Sequence, residues 1–362
     1  MKNVFSILLL TAIFLTSCGE DDGETDTNVD LTTEEASAAI LETGELAAAD
    51  LVSMTDSEGI AALNEFASLF ADFDQFSGRE EKQNWIKSKF KTISHYFVAG
   101  PAGRINEDEF VFDDIKGVYD WNPEIEDFDK TEESEFFIVN FPSEGSATNN
   151  AELKIIDLQF ITVTETDEWG SYTEDYPTSV DGSLKVDGET YVSVKASASW
   201  SDDGAPIKGD IDLLVSPFTF TLEFDDSEAT KISGSASLSK DDQKLMAVDL
   251  GIDFKSSEKE EPSAISGFVQ YSNVKVAGDI DVAGYDENAY DSNGDMIDGF
   301  DGSEYINLEV LIDDEKVGDI SFEEDIPYII YLDGTKENLE ELLESVIADM
   351  EEAFEDFEEG ED

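Results

Sequence analysis

The densest run of potential ligand oxygens in this 362-residue chain is Asp291-Ser292-Asn293-Gly294-Asp295-Met296-Ile297-Asp298-Gly299-Phe300-Asp301. Asp291, Asn293 and Asp295 stand at alternate positions, Asp298 and Asp301 follow, and glycines turn the backbone between them. Oxygen donors spaced in this way suit a hard cation such as Ca2+, which makes the five residues a candidate metal site. The structural alternative is a solvated acidic turn, common in a chain with 88 Asp and Glu residues. Other chemistry is poorly supplied. One histidine, His95, and one cysteine, Cys18, build neither a His/Cys metal cluster nor a histidine-based triad. There is no Gly-x-Ser-x-Gly, phosphate loop or dinucleotide fingerprint. Paired carboxylates at hydrolase spacing occur everywhere in so acidic a chain and discriminate nothing. Trp121, Trp169 and Trp200 could stack on sugar rings, but aromatic residues on strands more often form core or cross-strand pairs.

The acidic run looks like the Asp-x-Asn-Gly-Asp opening of EF-hand and related calcium loops. It departs from them at the sixth place, where Met296 stands instead of glycine. Counting one residue as deleted puts Asp298 and Asp301 in the ninth and twelfth places. No flanking helix pair is evident in the sequence, so the resemblance implies a loop and not an EF-hand domain.

Cys18 has its own context. Lys2 gives a positive start, and Val4 to Leu15 is apolar except for Ser6 and Thr11. That run is shorter than the roughly 20 residues needed to span a bilayer. Leu15-Thr16-Ser17-Cys18 resembles the lipobox of bacterial lipoproteins. The resemblance implies removal of residues 1–17 as a signal peptide, diacylation of the Cys18 thiol with chains such as palmitate, and usually a third chain on the new amino group. Two or three acyl chains hold a protein stably, at about 0.8 kcal/mol per buried methylene. The bland alternative is a soluble secreted protein with a chance cysteine. Gly19 stands where lipoproteins kept on the inner membrane carry aspartate. The cluster Gly19-Glu20-Asp21-Asp22-Gly23-Glu24 resembles the surface-export signal of Bacteroidota lipoproteins. Residues 18–30 are expected to form an acidic tether.

With 21 basic residues against 88 acidic ones the net charge is −67. Such a field argues against nucleic acid and anionic surfaces as partners. The 40% hydrophobic and 11% aromatic content nonetheless marks a folded protein. With Cys18 the only cysteine, the mature fold contains no internal disulfide and must stand on its core or on bound metal.

Residues 31–100 read as helices. Thr32 and Glu35 make a capping box, and Thr55 with Glu58 repeats it ahead of the stripe Ile60, Leu63, Ala67 and Phe70. A third helix, with Ile86, Phe90, Ile93 and Phe97 on one face, carries Arg79, Lys82, Lys87, Lys89 and Lys91, the chain's positive island; His95 reads as an ordinary residue near its end. After Gly100-Pro101-Ala102-Gly103 the period becomes two, and about a dozen strands follow through residues 101–335. Phe218, Phe220, Leu222 and Phe224 alternate with polar residues, as do Val192 to Trp200 and Met246 to Phe254. Asp187-Gly188 signals a hairpin. Residues 336–362 read as an acidic helix with the stripe Leu339, Leu342, Leu343, Val346, Ile347, Met350, Phe354 and Phe357.

The expected fold is α+β: N-terminal helices, one large curved antiparallel meander, and the C-terminal helix packed on its apolar face, with residues 31–362 as one domain. The basic helix is expected beside the acidic C-terminal one. Gly117-Val118-Tyr119-Asp120-Trp121-Asn122, Phe141-Pro142, Asn149-Asn150-Ala151-Glu152-Leu153 and Tyr331-Leu332-Asp333-Gly334-Thr335 resemble surface lipoproteins of Bacteroidota with no assigned activity. The expected function is a non-enzymatic, lipid-anchored outer-membrane protein. It would face the cell exterior and bind a surface ligand or an envelope protein. The alternatives are a carrier of a lipid or other apolar ligand between sheet and helices, and a carbohydrate-active hydrolase.

Overall fold

The computed structural model describes residues 31–63, 112–125, 127–143, 145–167, 170–289, 297, 300, 302–323 and 326–348. Its main feature is one large, open, mixed sheet of 16 strands accompanied by a few helices. The strands are β1 (Gly117–Asn122), β2 (Asp127–Glu132), β3 (Phe137–Phe141), β4 (Ala151–Asp167), β5 (Gly170–Val186), β6 (Glu189–Trp200), β7 (Pro206–Val215) and β8 (Phe218–Asp225). They continue as β9 (Lys231–Lys240), β10 (Gln243–Phe254), β11 (Pro262–Tyr271), β12 (Val274–Ile280), β13 (Ile306–Ile312), β14 (Glu315–Glu323), β15 (Ile326–Tyr331) and β16 (Lys336–Asn338).

From β3 to β16 each strand neighbours the next, as a meander requires. The all-antiparallel expectation fails at one place: β1 lies between β2 and β3 and pairs with β3 in parallel. A parallel pair needs the chain to return to the same end. Here β2 carries it back, so no helical crossover marks the event in the sequence.

Tight turns join several of the strands. Asp187 and Gly188 both have positive φ, the backbone of a two-residue hairpin turn, as the sequence predicts. The same conformation is adopted by Asp241-Asp242 and Asp313-Asp314. Part of the acid surplus therefore sits in hairpin turns, where aspartate tolerates the left-handed region.

Contacts divide the chain into two compact units, Asp56–Glu223 and Met1–Thr55 with Phe224–Asp362. In the first, the inward residues of β3 to β5 form a core with Ile115 and Tyr119: Phe137, Val139, Ile155, Leu158, Val180 and Leu184 are all buried. Helical residues 58–63 add Ala62 to it. Their cap is Ser57, whose Oγ accepts from the Ile60 N–H at 3.3 Å. Thr55, the expected cap, instead donates back to the Val52 carbonyl at 2.8 Å.

The second unit is organised by α1 (Thr33–Thr55). Its start is the predicted capping box: the Thr32 N–H donates to Glu35 Oε2 at 2.9 Å, and the Glu35 N–H donates to Thr32 Oγ1 at 3.3 Å. The strand register stacks residues of one kind across the sheet, as in Ile232, Ile252, Ile265, Ile280 and Ile306. A parallel row holds Ala236, Val248, Val269, Val276 and Val310. Ala36 and Ile40 of α1 share a core with Leu308, Val310, Ile312, Ile320, Ile329 and Leu339. The C-terminal helix is described over residues 339–348 and starts later than residue 336, because Lys336–Asn338 pair with β15 as an edge strand. Asn338 Oδ1 caps it, accepting from the Glu340 N–H at 2.9 Å.

Candidate functional site

Polar bonds fix α1 crosswise on the strands. At one end Ser37 lies beside Tyr331 of β15, and the Thr33 hydroxyl donates to Asp333 Oδ2 at 2.8 Å. Toward the other end Tyr271 of β11 donates to Asp50 Oδ2 at 2.9 Å. Lys240 of β9 donates to Asp50 Oδ1 at 3.1 Å and to Ser53 Oγ at 2.9 Å. The spacing explains why both ends fit. Ser37 to Asp50 rises about 20 Å along a helix, and the four strand intervals from β15 to β11 span about 19 Å. Burial, and then the Asp50 carboxylate that accepts its proton, push the Tyr271 hydroxyl above its ordinary pKa. Burial and Glu337, which accepts at 2.6 Å, do the same to Tyr331. These contacts were not legible in the sequence, where Asp50 is one acid among 88.

The calcium candidates Asp291, Asn293, Asp295, Asp298 and Asp301 lie outside the described residues, but their surroundings do not. A short helix the sequence reading missed, α2 (Val282–Ala289), leads into the run. Asp281 Oδ1 caps it, accepting from the Gly284 N–H at 2.8 Å. The Ile297 N–H donates to the Ala289 carbonyl at 2.8 Å, which brings the two sides of residues 290–296 together. A 3-10 turn, Gly302–Tyr305, leads out. Tyr285, Phe300 and Tyr305 form an aromatic triangle, with centroid separations of 5.2, 5.9 and 6.2 Å. The helix ahead of the run and the 3-10 turn behind it are not the helix pair of an EF-hand. Among the described residues no three His, Cys, Asp or Glu side chains are grouped to hold a metal.

Cys18, His95, Trp169 and the basic residues Arg79, Lys82, Lys87, Lys89 and Lys91 also lie outside the described residues, and with them the proposed pairing of basic and acidic helices. Trp121 packs edge-on against Phe128 at 5.2 Å. Trp200 lies 4.9 Å from Tyr176 and donates its Nε1–H to the Pro177 carbonyl. Both are cross-strand pairs. The carboxyls with shifted pKa in the described residues, Glu35, Asp203 and Asp333, are all lowered, by hydrogen bonds from Thr32, Ser201 and Thr335 respectively. A helix cap and two turns account for them. Among the described residues no helix is long and apolar enough to cross a membrane.

No protein-family model, no curated protein and no solved structure matches the chain.

Proposed function

We propose that the protein is a lipid-anchored outer-membrane protein of non-enzymatic binding or structural type, held through Cys18 and facing the cell exterior. The observation that carries this reading is Leu15-Thr16-Ser17-Cys18 at the end of an apolar run, followed by the acidic cluster from Gly19 to Glu24. The finer architecture belongs to the same reading, with the sheet curved around the helices on its apolar side. The net charge of −67 favours partners other than nucleic acid, such as a neutral surface ligand or another envelope protein. The run from Asp291 to Asp301 is proposed as a calcium loop that supports the fold.

Labelled palmitate supplied to growing cells is expected in the wild type and absent from Cys18→Ala. Equal labelling of the two removes the anchor. Protease added to intact cells is expected to digest the protein, and full protection places it on the periplasmic side.

A further inference from the structure

We propose that a strip on β15 and the turn after it, made of Tyr328, Ile330 and Leu332, rests on the lipid surface and sets how the anchored protein lies there. The inference depends on the reading of Cys18 as a lipid anchor. It starts from an anomaly in the sheet's polar side. Across β9 to β14 that side carries polar residues such as Ser235, Asp249, Glu309 and Asp319, which stand in one register row with Ala277 and Phe268. Ile330 pairs with Asp319 and therefore belongs to the same side. Ile330 is 37% exposed, and Leu332, two residues on, is 71% exposed. Tyr328 completes the strip, with the Lys336 ammonium 3.8 Å from its ring centroid. An amphipathic ring, branched apolar side chains and an exposed lysine are the set that settles at the headgroup boundary.

The course of the chain says which surface covers the strip. The Thr33 hydroxyl donates to Asp333, the residue next to Leu332, so the segment from Cys18 enters the fold at this turn. Cys18 lies thirteen residues before Leu31, and a fully extended chain of that length reaches at most about 45 Å. A lipid on Cys18 therefore keeps the bilayer within reach of this turn and its exposed apolar strip. Asp319, the register partner of Ile330, and Asp333, next to Leu332, border the strip, which selects a neutral surface over an anionic one.

Once acylated, Cys18 has no reactive thiol, so Leu332→Cys places a single one in the full-length lipoprotein. The variant is labelled with an environment-sensitive fluorophore and reconstituted in phosphatidylcholine vesicles with and without brominated acyl chains. A blue shift on reconstitution and at least twofold quenching by brominated lipid are expected, and both should weaken when phosphatidylglycerol replaces part of the neutral lipid. The same label at Ser235→Cys, on β9, should show neither effect. A water-exposed, unquenched label at residue 332 on protein whose mass shows the acyl chains overturns the proposal and leaves the anchor standing. Protein without acyl chains removes the anchor and this proposal with it.

Discussion

Gly44 stands in the middle of α1, where glycine costs about 1 kcal/mol relative to alanine. A Cβ built there would lie 2.9 Å and 3.1 Å from the two Cγ atoms of Val346 and 3.5 Å from Leu343 Cδ2. Carbon atoms prefer about 3.5–4.0 Å, so the shortest contact is too close by at least about 0.6 Å. Val346 is buried, β-branched and on a helix, where one χ1 rotamer dominates, so it cannot turn both methyls aside. The helices must then separate, at an overpacking cost of about 1–3 kcal/mol. Subtracting the gain in helix propensity, Gly44→Ala is expected to destabilise by up to about 2 kcal/mol. Val346→Ala alone loses packing worth about 1.5 kcal/mol. In the double variant the new methyl enters the vacated space, so the combined loss should fall below the sum by about 1 kcal/mol or more. Urea unfolding followed by circular dichroism measures all four proteins, with equal slopes required before midpoints are compared. If Gly44→Ala stabilises by itself, and its effect adds to that of Val346→Ala within about 0.5 kcal/mol, the close approach of the two helices is refuted.

Two further outcomes follow from side chains named above. The Tyr271 hydroxyl is the bonding form and its pKa is raised in the fold. Its contribution is therefore complete below the unfolded value of about 10 and is lost as pH rises through the folded value. Tyr271→Phe should cost about 1 kcal/mol near neutrality, and its stability gap to wild type should narrow above about pH 10; a gap independent of pH refutes the clamp on Asp50. For the calcium loop, saturation a hundredfold above Kd stabilises by about 2.7 kcal/mol. At high monovalent salt, Asp295→Ala should remove most of the calcium-induced rise in Tm, and an unchanged rise leaves the loop a turn.

Much of this fold was written in local patterns. The alternation at Val192 to Trp200 and Met246 to Phe254 specified strands, because a half-buried strand must repeat every two residues. Thr32 with Glu35 specified the start of α1, and Asp187-Gly188 a hairpin, since both depend on residues within reach of one turn. The apolar run and Cys18 carried the proposed address for the same reason: such a signal is read as a linear segment.

What needed the tertiary structure was every feature set by residues far apart in the chain. The parallel pairing of β1 with β3 depends on which side of β1 the returning chain takes, and no periodicity encodes that. Asp50 became a clamp only because the length of α1 matches the strand spacing between Tyr331 and Tyr271, 60 positions apart in sequence. Nothing local to Gly44 shows that Val346, 302 positions on, packs beside it. The sequence Tyr328-Ile329-Ile330-Tyr331-Leu332 did break alternation, a sign of apolar groups on both sides. Which of them pack inward was decided by register alone: Ile329 and Tyr331 meet the core, while Ile330 and Leu332 are left facing out.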